Sequence, residues 1–470
     1  MLSVKIGLEI HCQLTELNSK LFCSCYCNYR GKDPNTNVCP ICLGLPGTLP
    51  SLNKRAIEFA VMISKSLNCQ TPEEISFSRK NYFYPDLPKN FQITQYDTTG
   101  ISVGKNGKVE HQNKIARIRR VQLEEDPGRI TYEDGKFQAL IDYNRSGVGL
   151  VEIVTEPDFT DPKDVRTFLN KMTSILEHLN VCNTNLEGSL RCDVNISIGE
   201  GKKVEIKNIG SFRDAEKALT YEITRQRTMN LHEIEIKEET RHWDDKRKIT
   251  KSARSKEGEE DYRYFPEPDI PIILLGREYL SILNIPELPD KRKNRFIENY
   301  GLSEHVANVL IEHKQLADLF EAAVKKYNSP ISISNWIVSD IMGYIDYDII
   351  SKKSMLSELK IKEDHIVELS KLVDEGKINR NTAKDIITRI VKTGELPSKI
   401  IREKNVSKIT EKNELSVIIK KIFDVEIEAV RDAKENKNAI NFLLGKVMKE
   451  TSGRADPDIT INLIKEKLYN

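Results

Sequence analysis

The chain has 470 residues, and 72 Lys and Arg against 71 Asp and Glu leave a formal net charge of +1. Its 39% hydrophobic and 30% charged residues exclude disordered and fibrous classes, and its length suggests roughly three domains at about 150 residues each. Balanced charge removes the simplest argument for a nucleic-acid partner, a strongly basic domain, although a basic stripe can sit inside a neutral total.

Residues 1 to about 290 read as strands, loops and a few strong helices. Val4, Ile6, Leu8 and Ile10 alternate with Lys5, Gly7, Glu9 and His11, the period-2 pattern of a half-buried strand. A helix is expected from Lys54 to Leu67. Alternation returns at Ile118–Glu125, Phe137–Tyr143, Arg191–Ile198 and Val204–Ile209. Between them, Asp161 can cap a helix with Pro162 in its first turn, and Val165, Phe168, Leu169, Met172, Ile175, Leu176 and Leu179 form its apolar stripe. From about residue 291 helical spacing dominates, through Leu302–Lys325, Ser351–Glu375 and Arg380–Lys392. Leu396-Pro397-Ser398 breaks the series, and a neutral unit over about 405–470 closes the chain. The expected fold class is α+β: a sheet domain over 1–290, a helical domain over 291–404 and a small all-α tail over 405–470.

No apolar run approaches the roughly 18 residues of a membrane span. The first residues have neither the apolar core of a signal peptide nor the Arg- and Ser-rich bias of a transit peptide. Nine cysteines, five of them between Cys23 and Cys42, do not resemble a secreted disulfide scaffold. A cytoplasmic protein is expected.

Three constellations bear chemistry. Cys23-Ser-Cys25-Tyr-Cys27 is followed, across a turn-rich segment, by Cys39-Pro-Ile-Cys42. Two close thiol pairs of this kind suit a structural tetrahedral zinc site within an insert of about 20–45. Cys23, Cys25, Cys39 and Cys42 are the chosen ligands, with Cys27 spare, although local spacing barely separates the first three thiols. The bland alternative is a set of free cytosolic thiols.

The second constellation is acidic. Glu9 and His11 share one face of the first strand, and Glu124 falls with Gln122 and Arg120 on the polar side of another. Glu152 lies inside the apolar run Leu150-Val-Glu-Ile-Val154, where an unpaired charge is costly. Three carboxylates and an imidazole suit a hard divalent cation such as Mg²⁺ or Mn²⁺. Each residue alone is weak evidence, since a strand Glu is usually solvated and a lone His usually structural.

The third is a charged sheet face. Arg191, Asp193, Asn195 and Ser197 lie opposite Cys192, Val194, Ile196 and Ile198, and Glu205 with Lys207 opposes Val204 and Ile206. Such a face can line a cleft for an anionic ligand or simply be solvated. Near Arg79-Lys80-Asn81-Tyr82-Phe83-Tyr84, bases and aromatics interleave in a way that suits phosphate and base contacts. Residues 79–130 carry ten Lys and Arg against six Asp and Glu, a local excess of four. No phosphate-binding P-loop, Gly-x-Gly-x-x-Gly turn or His-Glu-x-x-His is present.

In order, Gly7-Leu-Glu-Ile-His11, Ser19-Lys-Leu-Phe-Cys23, Cys39-Pro-Ile-Cys-Leu-Gly44, Arg79-Lys-Asn-Tyr-Phe-Tyr-Pro-Asp86, Gln122-Leu-Glu-Glu-Asp126, Asp142-Tyr-Asn-Arg-Ser-Gly147, Glu152-Ile-Val-Thr-Glu-Pro-Asp158 and Asp261-Tyr-Arg-Tyr-Phe-Pro-Glu-Pro-Asp269 resemble the GatB/GatE family, the B subunits of tRNA-dependent amidotransferases. Phe442-Leu-Leu-Gly-Lys-Val-Met448 and Gly453-Arg-Ala-Asp-Pro457 look like the tail shared with YqeY proteins. The resemblance spans essentially the whole chain. Departures are Cys12 in place of an aliphatic residue, a Leu14–Ser19 turn one residue longer, and Gly149 where Pro is common.

The resemblance implies a mixed or antiparallel catalytic cradle, a helical domain and a tRNA-binding, YqeY-like tail. It implies ATP-dependent transamidation of Glu-tRNA(Gln), Asp-tRNA(Asn) or both. The tRNA-bound carboxylate is phosphorylated, and ammonia from the partner A subunit, an amidase, displaces phosphate, with a small C subunit completing a heterotrimer. By motif, Glu9, His11, Glu124 and Glu152 are implied as Mg²⁺ ligands. Cys23, Cys25, Cys39 and Cys42 are implied for Zn²⁺. Lys80, Asp193, Arg191, Lys207 and Arg263 are implied as tunnel or ATP-contacting residues. The competing readings are a non-catalytic, zinc-stabilised tRNA-binding protein and an ATP-dependent ligase of free amino acids.

Overall fold

The computed structural model describes residues 2–132, 138–254, 262–344, 359–404, 412–435, 437–451 and 455–469. They fall into two compact units, divided between Arg292 and Lys293.

The first unit is built on the strand whose alternation opens the sequence. β1 (Val4–Gln13) is followed by α1 (Lys54–Ser66), β2 (Glu74–Ile75), β3 (Ser78–Asn81), β4 (Phe91–Thr94), β5 (Gly104–His111) and β6 (Lys114–Glu125). The hairpin β7 (Arg129–Tyr132) and β8 (Ala139–Asp142) leads to β9 (Gly149–Thr155), α2 (Pro162–His178), β10 (Leu190–Ile198), β11 (Val204–Lys207) and α3 (Phe212–Leu231). β12 (Glu239–Asp244), β13 (Ile249–Arg254), β14 (Phe265–Pro266) and β15 (Ile273–Leu274) complete its strands. Eight strands form one sheet in the order β13-β12-β11-β10-β1-β9-β6-β5. Among the described residues only β11 and β12 pair in parallel, so the sheet is mixed and the class is α+β.

β1 lies in the middle, antiparallel to β10 on one side and β9 on the other. Ile6, Leu8 and Ile10 join Val121, Leu123, Ile153, Val194 and Ile196 in one core with Phe59 and Ile63 of α1, Phe168 and Met172 of α2, and Leu219 of α3. Helices therefore cover one face of the sheet, and the residues between these apolar ones point to the other. Asp161 caps α2 as expected, its side chain accepting from the Lys163 N–H at 2.8 Å. α3 escaped the periodicity because charged and amide side chains dilute its stripe. Glu222 and Gln226 are fully buried, and Glu222 is held by Arg225, Gln226 and Thr250.

The second unit has two apolar cores, one around Phe296, Phe320, Trp336 and Ile387, the other around Leu415, Ile419, Leu443 and Ile464. The helix expected over Leu302–Lys325 is two helices, Glu304–Glu312 and Lys314–Lys326, broken at His313, where the backbone is extended. The break lets Leu310 and Phe320 reach the same core. Within the stretch Ser351–Glu375 a helix covers Glu363–Asp374, and 351–358 lie outside the described residues. Among the described residues no helix is long and apolar enough to cross a membrane.

Two glycines report the packing in opposite senses. A Cβ on Gly107 of β5 would sit 2.3 Å from Cys69 Sγ and 2.7 Å from the Leu67 carbonyl oxygen, so Gly107→Ala should destabilise the first unit by about 1–3 kcal/mol. Gly445 lies inside the helix Lys437–Glu450 with open space where its Cβ would be, so Gly445→Ala should stabilise by up to about 1 kcal/mol. Urea unfolding of the two variants should move midpoints in opposite directions.

Candidate active site and metal centre

The register of four strands lays the predicted residues out in rows. On the uncovered face, Arg191 of β10 lies beside His11 of β1, His11 beside Glu152 of β9, and Glu152 beside Gln122 of β6. The neighbouring row runs Asp193, Glu9, Val154, Arg120, and the row on the other side Gln13, Leu150, Glu124. Residues far apart in sequence thus meet because each is two residues from the next on its own strand and directly opposite on the adjoining one.

His11 Nε2 is 3.5 Å from Glu9 Oε1 and 3.9 Å from Glu152 Oε2. One ligating atom from each of the three lies within 4.8 Å of the others. Glu152 Oε1 is buried without a hydrogen-bond partner, and the Arg120 guanidinium stands 3.5 Å away. Glu124 adjoins this trio and accepts a 2.8 Å hydrogen bond from Thr94 Oγ1. Burial pushes the Glu124 carboxyl up to about 7, opposed by the Lys80 charge and reinforced by Glu9. Glu152 also rises to about 7, from burial and then the charges of Glu9 and Glu124. Crowded, desolvated carboxylates with an oxygen that accepts no hydrogen bond are the arrangement that a bound divalent cation relieves.

The remaining predicted residues border this cluster unequally. Lys207 Nζ donates to Asp193 Oδ2 at 2.7 Å and lies 3.4 Å from Glu205. Burial works against its charge, but Asp193, Glu205 and Glu9 hold its ammonium well above the ordinary lysine range. Arg191 is committed elsewhere, donating to Asp126 Oδ1 at 2.9 Å. Lys80 sits over the Tyr262 ring at 4.5 Å and near Tyr82 at 5.7 Å. Arg263 is exposed with a left-handed backbone, and its carbonyl accepts from Asn81 Nδ2 at 2.8 Å. Arg79, from the same basic and aromatic motif, is spent on Glu267 and Asp269.

Sequence reasoning picked out Tyr82 within its basic and aromatic motif but missed its tyrosine partners and one further part of this site. A tyrosine wall stands beside the carboxylates. Tyr96 stacks on Tyr264 at 3.9 Å, and Tyr262 meets both Tyr264 and Tyr82 edge-on. Burial and the nearby Glu124 charge raise Tyr264, and burial with Asp86 and Glu124 raises Tyr82, so both phenols keep their protons. The Tyr-x-Tyr spacing at 82–84 and 262–264 was the available signal. The other is Asp126, fully buried and two residues beyond Glu124, the acid considered on that strand. It accepts from Gln13 Nε2 at 2.5 Å as well as from Arg191, and Arg145 Nε is 3.8 Å away.

Cys23, Cys25, Cys39 and Cys42 bring one sulfur each within 4.8 Å of the others. Cys27 points elsewhere, its thiol donating to the Leu14 carbonyl at 3.5 Å. Hydrogen bonding from Cys23 leads the effects that lower the Cys42 thiol to about 5, while Cys23 is raised by that same contact. Four sulfurs sharing protons in this way form a donor set that fits tetrahedral zinc. The unusual turn and Gly149 meet each other, since a Cβ at 149 would stand 3.2 Å from Leu17 Cδ1.

Asp126 allows a signed test. Burial alone would raise its carboxyl, but Arg191, Arg145 and Gln13 together hold it below the ordinary aspartate value of 3.8. Its contribution is therefore present above that value and lost as pH falls through the depressed one. Asp126→Asn should cost about 3–5 kcal/mol at pH 7 and progressively less as pH falls below the ordinary aspartate value, read by urea unfolding across that range.

Residues 4–281 match the family model described as the GatB/GatE catalytic domain, and residues 318–468 that of the GatB domain. The B subunit of the aspartyl/glutamyl-tRNA(Asn/Gln) amidotransferase of Sulfurisphaera tokodaii is 48% identical over 473 residues, covering 99% of each chain. The protein of the same name from Saccharolobus solfataricus is 45% identical over 472 residues, again covering 99% of each chain. That from Carboxydothermus hydrogenoformans is 42% identical, covering 98% of each chain. With a family match over more than half its length and relatives this similar from end to end, the chain belongs to the GatB/GatE family.

Proposed function

We propose that this chain is the B subunit of an ATP-dependent amidotransferase that converts Glu-tRNA(Gln), Asp-tRNA(Asn) or both to the correctly amidated species. The observation that carries this reading is the convergence of Glu9, His11 and Glu152, with Glu124 beside them, on the open face of the sheet in a member of this family. A stable carboxylate needs activation before it accepts ammonia, and transfer of a phosphoryl group from ATP makes it an acyl phosphate with a good leaving group.

Glu9, His11, Glu124 and Glu152 would hold Mg²⁺, and their mutual crowding and the Glu152 oxygen that accepts no hydrogen bond fit it. When bound, that cation would neutralise phosphate charge during activation and displacement. Two lysines flank the acidic cluster. Lys207 lies towards Asp193 and Glu9, and Lys80 towards Glu124, so each can meet anionic oxygens at its own end of the row. Asp193 orients Lys207, and Arg191 acts through Asp126 as a positioning residue. Arg263 reaches solvent, from where it can contact the nucleotide or the tRNA end. The tyrosine wall offers rings on which an adenine can stack.

Cys23, Cys25, Cys39 and Cys42 would hold a structural zinc. The catalytic unit is assigned to 1–290, the helical domain to 291–404 and tRNA binding to the tail at 405–470. The partners are the A subunit, an amidase that releases ammonia, and the small C subunit. A zinc-stabilised tRNA-binding protein without catalysis would have no use for three buried or half-buried acids around an imidazole.

The test combines the chain with its partner subunits, ATP, Mg²⁺, glutamine and each misacylated tRNA, measuring Gln-tRNA and Asn-tRNA separately. Glu124→Gln should lower amidation, with glutamine or with ammonia, by roughly 10²–10³-fold while tRNA binding persists. Unchanged amidation would overturn the catalytic reading. The purified chain should carry about one zinc ion, lost in Cys39→Ser, and chelation should lower its thermal midpoint.

A further inference from the structure

Lys20 is the largest buried puzzle outside the acidic cluster. Its side chain is fully inaccessible, which is rare for a lysine and costly unless the charge is matched. Its ammonium donates to the Asn37 carbonyl at 2.9 Å and to Cys42 Sγ at 3.8 Å. Among the described residues no carboxylate lies within ion-pairing distance of it. The carboxylate in that neighbourhood, Glu125, is taken by Lys89 at 2.5 and 2.7 Å. The matching anion must therefore come from the sulfurs.

Four thiolates around Zn²⁺ carry a net charge of −2, an excess that burial makes expensive. The Cys39 backbone N–H, 3.1 Å from Cys42 Sγ, supplies one partial positive charge. Lys20 supplies a whole one. We propose that Lys20 is the resident counter-ion of the four-cysteine centre, a positioning residue that sets how tightly the thiolates hold zinc. The backbone fixes it there. Lys20 N–H donates to the Cys25 carbonyl at 2.9 Å, so the residue that neutralises the centre is stitched to the segment that supplies one of its ligands. Its stem lies against Gly147, where an added Cβ would stand 3.6 Å from Lys20 Cδ and 3.6 Å from Cys42 Cβ.

This inference rests on the zinc reading of the four cysteines, and the two fail differently. In the full-length chain under reducing conditions, zinc affinity is measured by competition with a chromophoric chelator, and site geometry by the cobalt spectrum. Lys20→Met, which keeps the stem and removes the charge, should weaken zinc by tenfold or more while the four-thiolate cobalt bands remain. A wild-type chain that takes up no zinc sinks the zinc reading. Wild-type zinc binding with an unaltered affinity in folded Lys20→Met sinks the counter-ion. A second measurement serves if that variant does not fold: Lys20 of the wild-type chain should resist amine labelling with zinc bound and become labelled after chelation. Equal protection in both states overturns the proposal.

Discussion

The structure turns on the crowding of like charges at the middle of its largest sheet. Strand register brings Glu9 and Glu152 together around His11 and sets Glu124 in the adjoining row, and burial removes much of the water that would otherwise screen them. Such a cluster is unstable on its own terms. Its cost is tolerable because the opposite face of the same strands is closely packed, with Ile6, Ile10, Leu123 and Ile153 at 0% exposure against three helices. The apolar face secures the strands, and the polar face is thereby held in an arrangement it would not adopt unaided.

Asp126 connects that face to the rest of the unit. It follows directly on the strand that carries Glu124, and it ties Gln13 of β1 and Arg191 of β10 to the same carboxylate. Its backbone N–H donates to the Val148 carbonyl, and its own carbonyl accepts from Gly147. Gly147 in turn accepts from Leu21 at the root of the cysteine insert, and Asn37 within the insert donates its N–H to Asn144 Oδ1 at 2.7 Å. The four-cysteine centre is thus one short chain of hydrogen bonds from the acids. The order of the insert and the position of the loop that aims Asp126 are therefore coupled through these bonds.

What could be read from the sequence was whatever depends on a single strand. Alternation alone placed Glu9 with His11, and Glu124 with Gln122, because a strand has only two faces. Glu152 stood out because an acid inside an apolar run needs a reason. Residues whose role is tertiary gave no such signal. Lys20 looks like any surface lysine in Ser-Lys-Leu, and its burial follows only from the closing of the insert around it. Asp126 reads as a third acid in a row, yet the β6 end turns it inward to two arginines. The tyrosine wall is assembled from segments some 180 residues apart, a separation no local periodicity can bridge. α3 was hidden for the converse reason, since its buried Glu222 is satisfied by partners from β13 and its own next turn.

The charge excess in residues 79–130 changes meaning once the partners are seen. Eight of its ten basic residues are in ion pairs, and apart from Lys89 and Lys105 they draw on acids outside the segment: Glu267, Asp269, Asp164, Asp158, Glu156, Glu152 and Glu187. The local surplus is therefore largely cancelled in space, as the total is cancelled in sequence. The cancellation is not uniform in strength. Arg79 and Lys89 are mostly buried in their pairs, whereas Lys114, Arg117, Arg119 and Arg129 are half or more exposed. Exposed pairs contribute at most about 1 kcal/mol each and are weakened by salt, so they add little to the stability of the unit. Buried pairs hold the site's shape, and exposed ones are free to be exchanged.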